Sequence, residues 1–285
     1  VVTVGGDFFG NKYWSESLNE YRVIKGEAKL DKVTTATSSI NIDGSTSETV
    51  REEILKYDYD DNNRLKAITN IQDNIVLNHD GFGNKTITTT HKEFAPTDTG
   101  QIKLSTSSSW TETNKDYGAT TLDGTEIKSI QASVITYSYG EKNGYKDSLN
   151  QVTATDSITE TTDYFGNVTR TTTSYDYAVI MGQAKVDKVT TYTEVDNIDG
   201  SHTIASHKGW TSQASIIHYI YDKRTGNLTG MGAEEDQHGI MLMDDGFGNV
   251  TKTVTERAYR LIQGQVKVDT VATHTEIDNI DGSHT

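Results

Sequence analysis

Polar and apolar residues alternate along most of this chain, and the alternation restarts at regular intervals. In one stretch Thr251, Thr253 and Thr255 fall on one face while Val250 and Val254 fall on the other, and in an earlier stretch Thr169, Thr171 and Thr173 stand opposite Val168. A period of two residues is the signature of a half-buried β-strand. The run 185–195 that follows is rich in Thr, Val and Tyr, residues that suit a pleated surface and disfavour a helix. Each alternating stretch is preceded by Gly-Asn, which is read as supplying the positive-φ positions of a hairpin turn. The pattern predicts about six strands per copy, spaced as in all-β proteins.

The restarts carry one anchor, Phe-Gly-Asn, at Phe9-Gly10-Asn11, Phe82-Gly83-Asn84, Phe165-Gly166-Asn167 and Phe247-Gly248-Asn249. Their spacings of 73, 83 and 82 residues define a repeat. A Gly-x-x-Lys phrase follows each anchor, at Gly26, Gly100, Gly182 and Gly264, and an Asp-Gly turn closes each phrase, at Asp43, Asp123, Asp199 and Asp281. Tyr21, Tyr177 and Tyr259 stand at one offset from their anchors. Beyond the Asp-Gly turn comes a more variable segment with an aromatic pair, Tyr57 and Tyr59, Tyr137 and Tyr139, or Tyr219 and Tyr221. Self-similarity at a fixed period marks an architecture whose units bury a face by stacking on their neighbours. The sequence divides into repeats at 1–80, 81–163, 164–245 and, as a first half only, 246–285. The closing string 278–285 duplicates 196–203, which is mid-repeat in the third copy, so neither end reads as a polar cap. The expectation is that Val1 to Gly10 and Lys267 to Thr285 are covered by further copies of the repeat, in the same chain or head-to-tail between subunits.

The segments 219–229 (Tyr-Ile-Tyr-Asp-Lys-Arg-Thr-Gly-Asn-Leu-Thr) and 163–169 (Asp-Tyr-Phe-Gly-Asn-Val-Thr) resemble the tyrosine-aspartate, or Rhs-type, repeats of very large bacterial proteins. The resemblance implies β-hairpin ribbons that spiral into shells, some enclosing toxins and others acting at cell surfaces. The fold expected is therefore all-β, a tandem array of antiparallel β-hairpins, as a tyrosine-aspartate-like spiral or a β-solenoid-like stack, with about 82 residues per repeat.

Composition narrows the partners. Only 33 % of residues are hydrophobic, too few for a thick two-sided core and more consistent with thin sheets. The net charge of −15 repels phosphate backbones and argues against nucleic acid. No apolar run approaches a membrane span; the nearest surrounds Ile216, Ile217 and Ile220. One proline and no cysteine argue against a disordered stalk and leave the redox compartment open.

Candidate chemistry is sparse. Asp196, Asp199, Asp278 and Asp281 lie in Asp-Asn-Ile-Asp-Gly strings with the oxygen ligands and sharp turn that calcium uses. The first copy has Ile40 in the leading position and the second has Leu122 before its Asp-Gly, so the ligand set erodes and a solvated hairpin turn is the favoured reading. His202 and His207 are close in sequence but lack the three or four converging ligands of a transition-metal site. The Asn-x-Thr strings at Asn84, Asn167, Asn227 and Asn249 follow from turn chemistry. No acid-base or nucleophilic constellation stands out, which makes an enzyme the least favoured class. The expected function is a structural segment of a long extracellular or cell-surface protein forming a fibre, sheath or stalk, with no cofactor required. The alternatives are a toxin-enclosing shell, and an adhesive module using 201–245 with Trp210, Tyr219 and Tyr221.

Overall fold

A computed structural model describes residues 1–6, 10–142, 144–232, 238–262 and 265–285. Phe9 of the first anchor, Asn143, and Gly264 of the fourth Gly-x-x-Lys phrase lie outside the described residues. The protein is all-β and antiparallel; among the described residues the regular elements are strands apart from one 3-10 turn at Lys115–Tyr117. It divides into two compact units, Val1–Asn150 and Gln151–Thr285, and each contains two of the anchors.

The first unit opens with β1 (Val2–Gly6), followed by two long strands, β2 (Lys12–Ile24) and β3 (Glu27–Ile40). Next come β4 (Thr46–Arg51), β5 (Glu53–Tyr59), β6 (Leu65–Gln72) and β7 (Asn74–His79), then a second long pair, β8 (Lys85–Pro96) and β9 (Ile102–Glu112). After these lie β10 (Glu126–Gln131), β11 (Ser133–Lys142) and β12 (Tyr145–Ala154), the last four residues of which belong to the second unit. The sheet runs β1-β2-β3-β4-β7-β8-β9-β11-β12. Strand β3 is too long for one partner and forks. Near its end Ser38, Ser39 and Ile40 pair with Glu48, Ser47 and Thr46 of β4, while farther back Lys32 to Thr35 pair with Lys56 to Glu53 of β5. The β5–β6 hairpin thereby leaves the main path and lies against β8. An ion pair, Lys92 Nζ to Glu53 Oε1 at 2.9 Å, joins the two layers.

The second unit follows the same plan. Its strands are β13 (Ser157–Thr162), β14 (Val168–Ile180), β15 (Gln183–Asp196), β16 (His202–Ile204), β17 (Ser206–His207) and β18 (Trp210–Thr211). They continue with β19 (Ser215–Tyr221), β20 (Leu228–Met231), β21 (His238–Asp244), β22 (Val250–Ile262) and β23 (Gln265–Asp278). The sheet path here is β13-β14-β15-β16-β21-β22-β23, with β19–β20 branching from β15 as β5–β6 does from β3.

The long hairpins share one geometry. In β2–β3, β14–β15 and β22–β23 the pairing runs the length of both strands, from Lys12↔Ile40 to Ile24↔Glu27, from Val168↔Asp196 to Ile180↔Gln183, and from Val250↔Asp278 to Ile262↔Gln265. Each has one β-bulge, directly before Tyr21, Tyr177 or Tyr259, and β8–β9 has its own directly before Phe94. A bulge shifts the side-chain alternation by one residue and increases the local twist. The aromatic at a fixed offset from the anchor is thus the residue that follows the break in register, a role the alternation alone does not disclose.

Little is fully buried. Among the described residues the buried hydrophobic ones are Ile75, Ile87 and Ala119 in the first unit, a cluster against which Leu77 and Tyr117 pack, and Val152, Leu242 and Val250 in the second. Threonines occupy much of the remaining sheet surface, so cohesion rests on backbone ladders and cross-strand pairs more than on a core. The Gly-Asn expectation needs one correction. Gly83, Gly166 and Gly248 of the anchors have positive φ (109°, 93° and 93°), but their asparagines do not, because those side chains are used for hydrogen bonding instead.

At the tip of β14–β15, Met181 (φ 53°) and Gly182 (φ 74°) both occupy the left-handed region, the geometry of a type I′ turn that favours Asn-Gly. Met181 is exposed and has little packing to lose. Met181→Asn should raise unfolding stability by about 0.5–1 kcal/mol in urea titrations, because Asn enters the left-handed region at lower cost than Met.

Candidate functional site

Three of the anchors, the second to the fourth, are turns closed by an aspartate three residues before the glycine. The Asp163 N–H donates to Asn167 O at 3.0 Å, and the Asp163 carboxylate accepts in return from the backbone N–H groups of Phe165 and Asn167, both at 2.9 Å. Asn167 Nδ2 adds a bond to Asp163 Oδ2 at 2.8 Å. The same set recurs around Asp80, with Phe82 N at 2.7 Å, Asn84 N at 3.1 Å and Asn84 Nδ2 at 2.6 Å. It recurs again around Asp245, with Phe247 N at 2.8 Å, Asn249 N at 3.0 Å and Asn249 Nδ2 at 2.5 Å.

The anchor asparagine then reaches out of its own turn. Its Oδ1 accepts the backbone N–H of the residue before the aspartate of the Asp-Gly turn: Ile42 to Asn11 at 2.9 Å, Leu122 to Asn84 at 3.1 Å, Ile198 to Asn167 at 3.1 Å and Ile280 to Asn249 at 2.9 Å. One amide therefore clasps two turns that lie 31 residues apart in three copies and 38 in the second. The Asp-Gly turn is itself knotted. Asn197 Nδ2 donates to Ser201 Oγ at 2.8 Å, and Asp199 Oδ1 accepts from Ser201 N at 2.9 Å and Ser201 Oγ at 2.7 Å. Asn41, Asp43 and Ser45 repeat this arrangement, as do Asn279, Asp281 and Ser283.

This network employs the calcium candidates. Asp199 and Asp281 accept from Ser201 and Ser283; Asp196 lies 3.9 Å from the Arg170 guanidinium; Asp278 accepts from His207 Nε2 at 2.6 Å and from Lys208 Nζ at 2.8 Å. The Asp-Asn-Ile-Asp-Gly string is thus split between a turn and the end of a strand; Asp199, Asp278 and Asp281 accept hydrogen bonds, while Asp196 faces an arginine. His202 and His207 are separated as well, the former beside Gly200 O and the latter on Asp278.

Successive turns also touch. A Cβ on Gly81 would stand 3.0 Å from Asp43 O, and one on Gly246 would stand 3.2 Å from Gly200 O, so the anchor of one copy packs against the Asp-Gly turn of the copy before it. In each unit the turns therefore form a row. The row in the first unit presents Ile42, Phe82 and Leu122 to solvent, and that in the second presents Phe165, Ile198, Phe247 and Ile280. Phe82 is 83 % exposed, far more than packing within its own turn would leave it. Leu122, Ile198 and Ile280 lie over Gly83, Gly166 and Gly248, which is why a side chain at these glycines would meet them.

The aromatic pairs point inward. The hydroxyls of Tyr57, Tyr137, Tyr139, Tyr219 and Tyr221 all titrate above the usual phenol range, in each case chiefly because of burial. Tyr59 Oη donates to Leu30 O at 2.9 Å beneath the Arg22 guanidinium, and Lys103 Nζ sits 5.0 Å over the Tyr139 ring. Trp210 lies among His207, His284 and Lys252, with the lysine Nζ 5.5 Å from its ring. Two open grooves flank these elements. One of about 560 Å³ is lined by Glu112, Asn114, Asp116, Glu126 and Lys128, and one of about 460 Å³ by Tyr192, Gln213, Thr253, Arg257 and Tyr259. Comparison with known protein families and with curated proteins finds no match.

The sequence marked the anchors and the Asp-Gly turns but not the bond between them. Its only trace was the asparagine kept in all four anchors, which was read as a φ preference.

Removing the clasp should be costly. Asn167→Ala deletes the acceptor of Ile198 N–H and a donor to Asp163, and should lower unfolding stability by about 1–2 kcal/mol, whereas the exposed Asn227→Ala should change it little. Acid should act on the same network. Asp163 and Asp245 are held below the usual carboxylate range first by the side chains of Asn167 and Asn249, and Asp199 first by the Ser201 N–H. At Asp80 burial pushes upward but is outweighed by Asn84 and the turn N–H groups. Because the folded values lie below the unfolded one of about 3.9, this stabilisation is fully present above that pH and is lost as pH falls through the folded values. Urea unfolding should therefore be nearly pH-independent from about 7 to 5 and weaken below about 4. Stability that rises on acidification through that window would contradict the assignment.

Proposed function

We propose that this chain is a scaffold segment of a long extracellular or cell-surface protein, built as a tandem array of antiparallel hairpins with about 82 residues per repeat. The observation that carries the reading is the recurrence of one bulge position and one asparagine clasp at four places in the sequence, with one hairpin register at three of them. Such repetition fits a chain whose product is its own frame, because each copy contributes the same joint. The sparse burial agrees with this, since a frame held by ladders and turns can be extended without enlarging a core. The likeness to tyrosine-aspartate repeats favours the same class, and a cysteine-free chain is indifferent to the redox state of its surroundings. The solvent-facing row of Phe, Ile and Leu gives such a frame an apolar line for lateral association.

Negative-stain electron microscopy of the native protein should show elongated filaments or sheets with a regular repeat. Compact, isolated particles would defeat the scaffold reading, and closed shells around a cargo would transfer it to the toxin-enclosing class.

A further inference from the structure

Three of the four long hairpins carry a strand of one kind at one register. Counting from Glu27, Gln101 and Gln183, the sixth to ninth residues of the second hairpin strand are paired each time. Lys32 to Thr35 pair with Lys56 to Glu53, Thr106 to Ser109 with Thr136 to Ser133, and Lys188 to Thr191 with His218 to Ser215. Immediately after the last paired residue, each covering strand continues into Tyr-x-Tyr: Tyr57 and Tyr59, Tyr137 and Tyr139, Tyr219 and Tyr221. The covered strands are half-buried there, at Leu30 and Val33 and at Val186 and Val189.

Strand β23 has the same positions without the cover. Counting from Gln265, they are Thr270 to Thr273, and among the described residues β23 has β22 on one edge and no strand beside these four on the other. The matching apolar side chains, Val268 and Val271, are 53 % and 56 % exposed. An exposed edge flanked by apolar side chains is a template for strand addition.

We propose that the outer edge of β23 at Thr270–Thr273 is an acceptor for a Tyr-x-Tyr strand supplied by a further copy of this repeat. The three occupied hairpins specify the partner's chemistry. It is antiparallel, pairs over four residues opposite Thr270 to Thr273, and sets two tyrosines over Val268, with the second hydroxyl donating to Val268 O as Tyr59 does to Leu30 O. The identity of the partner rests on the scaffold reading; the existence of the acceptor edge does not.

The test uses the chain and a synthetic peptide of residues 215–231, which spans β19 and β20. The expected result is saturable binding by calorimetry, with amide exchange slowed at Thr270 to Thr273 and unchanged at the already paired Lys188 to Thr191. A peptide with Tyr219→Ser and Tyr221→Ser should bind at least about tenfold more weakly, the loss of one to two buried aromatic contacts. Val271→Lys, at a position exposed in the free chain, should leave the circular dichroism spectrum unchanged and abolish binding. Failure of the unaltered peptide to bind, equal binding by the serine peptide, or protection confined to another strand would overturn the proposal. None of those outcomes would alter the filaments expected of the native protein, so the two readings fail separately.

Discussion

One asparagine side chain satisfying two turns at once is the joint on which these sheets depend. A hairpin of 13 and 14 residues has a long lever, and in a chain with few fully buried apolar residues there is little core to press its open end shut. The anchor amide does it with directed bonds. Its Nδ2 donates to an aspartate oxygen in its own turn while its Oδ1 accepts the N–H of the turn across the gap. Hydrogen bonds to an ionised acceptor are stronger than neutral ones, so the aspartate fixes the asparagine before the asparagine fixes the neighbouring turn. The aspartates of both turns are therefore structural in the same sense as the asparagine.

The second constraint is edge length. A strand of 14 residues presents more hydrogen-bonding edge than one short partner can cover, and bare edges invite unwanted pairing. The protein covers β3 and β15 with two partners in tandem. A strand returning from the Asp-Gly turn takes the end, and the Tyr-x-Tyr strand takes the middle. The fork this creates lets a thin sheet gain a partial second layer, because the branched hairpin turns its tyrosines onto the sheet and buries them by half. The tyrosine pairs thus supply much of the apolar contact that the Thr-rich strands lack.

Strand chemistry and turn positions were legible in the sequence because both are local. Alternation of Thr and Val specifies a face, and Asp-Gly specifies a reversal, whatever lies beyond. The joint was not legible, since Asn167 and Ile198 are 31 residues apart and nothing in either string names the other. The bulges were half visible. Tyr21, Tyr177 and Tyr259 recur at one offset, but Phe94 holds that place in the second copy, and only the pairing register shows why an aromatic belongs there. The aspartate strings show the same limit of local reading. Asp278 and Asp281 are neighbours in sequence, yet one ends a strand beside His207 while the other closes a turn on Ser283.

Differences between copies show what the frame tolerates. In the second copy a 3-10 turn at Lys115–Tyr117 is inserted between the hairpin and its Asp-Gly turn, lengthening the span from 31 to 38 residues while the bond from Leu122 N–H to the anchor asparagine is retained. In the third copy the short β17–β18 hairpin is inserted after the Asp-Gly turn, and it docks on Asp278 and Lys252 without disturbing either clasp. Both insertions enter connections and leave the joints intact, as expected where the joints bear the structure and the connections do not. The two grooves adjoin these same insertions: Asn114 and Asp116 line one, and Ser212 and Gln213 line the other. Recognition chemistry added to such a frame would have its room there, because side chains can change at those places without any cost to the bonds that keep the hairpins closed.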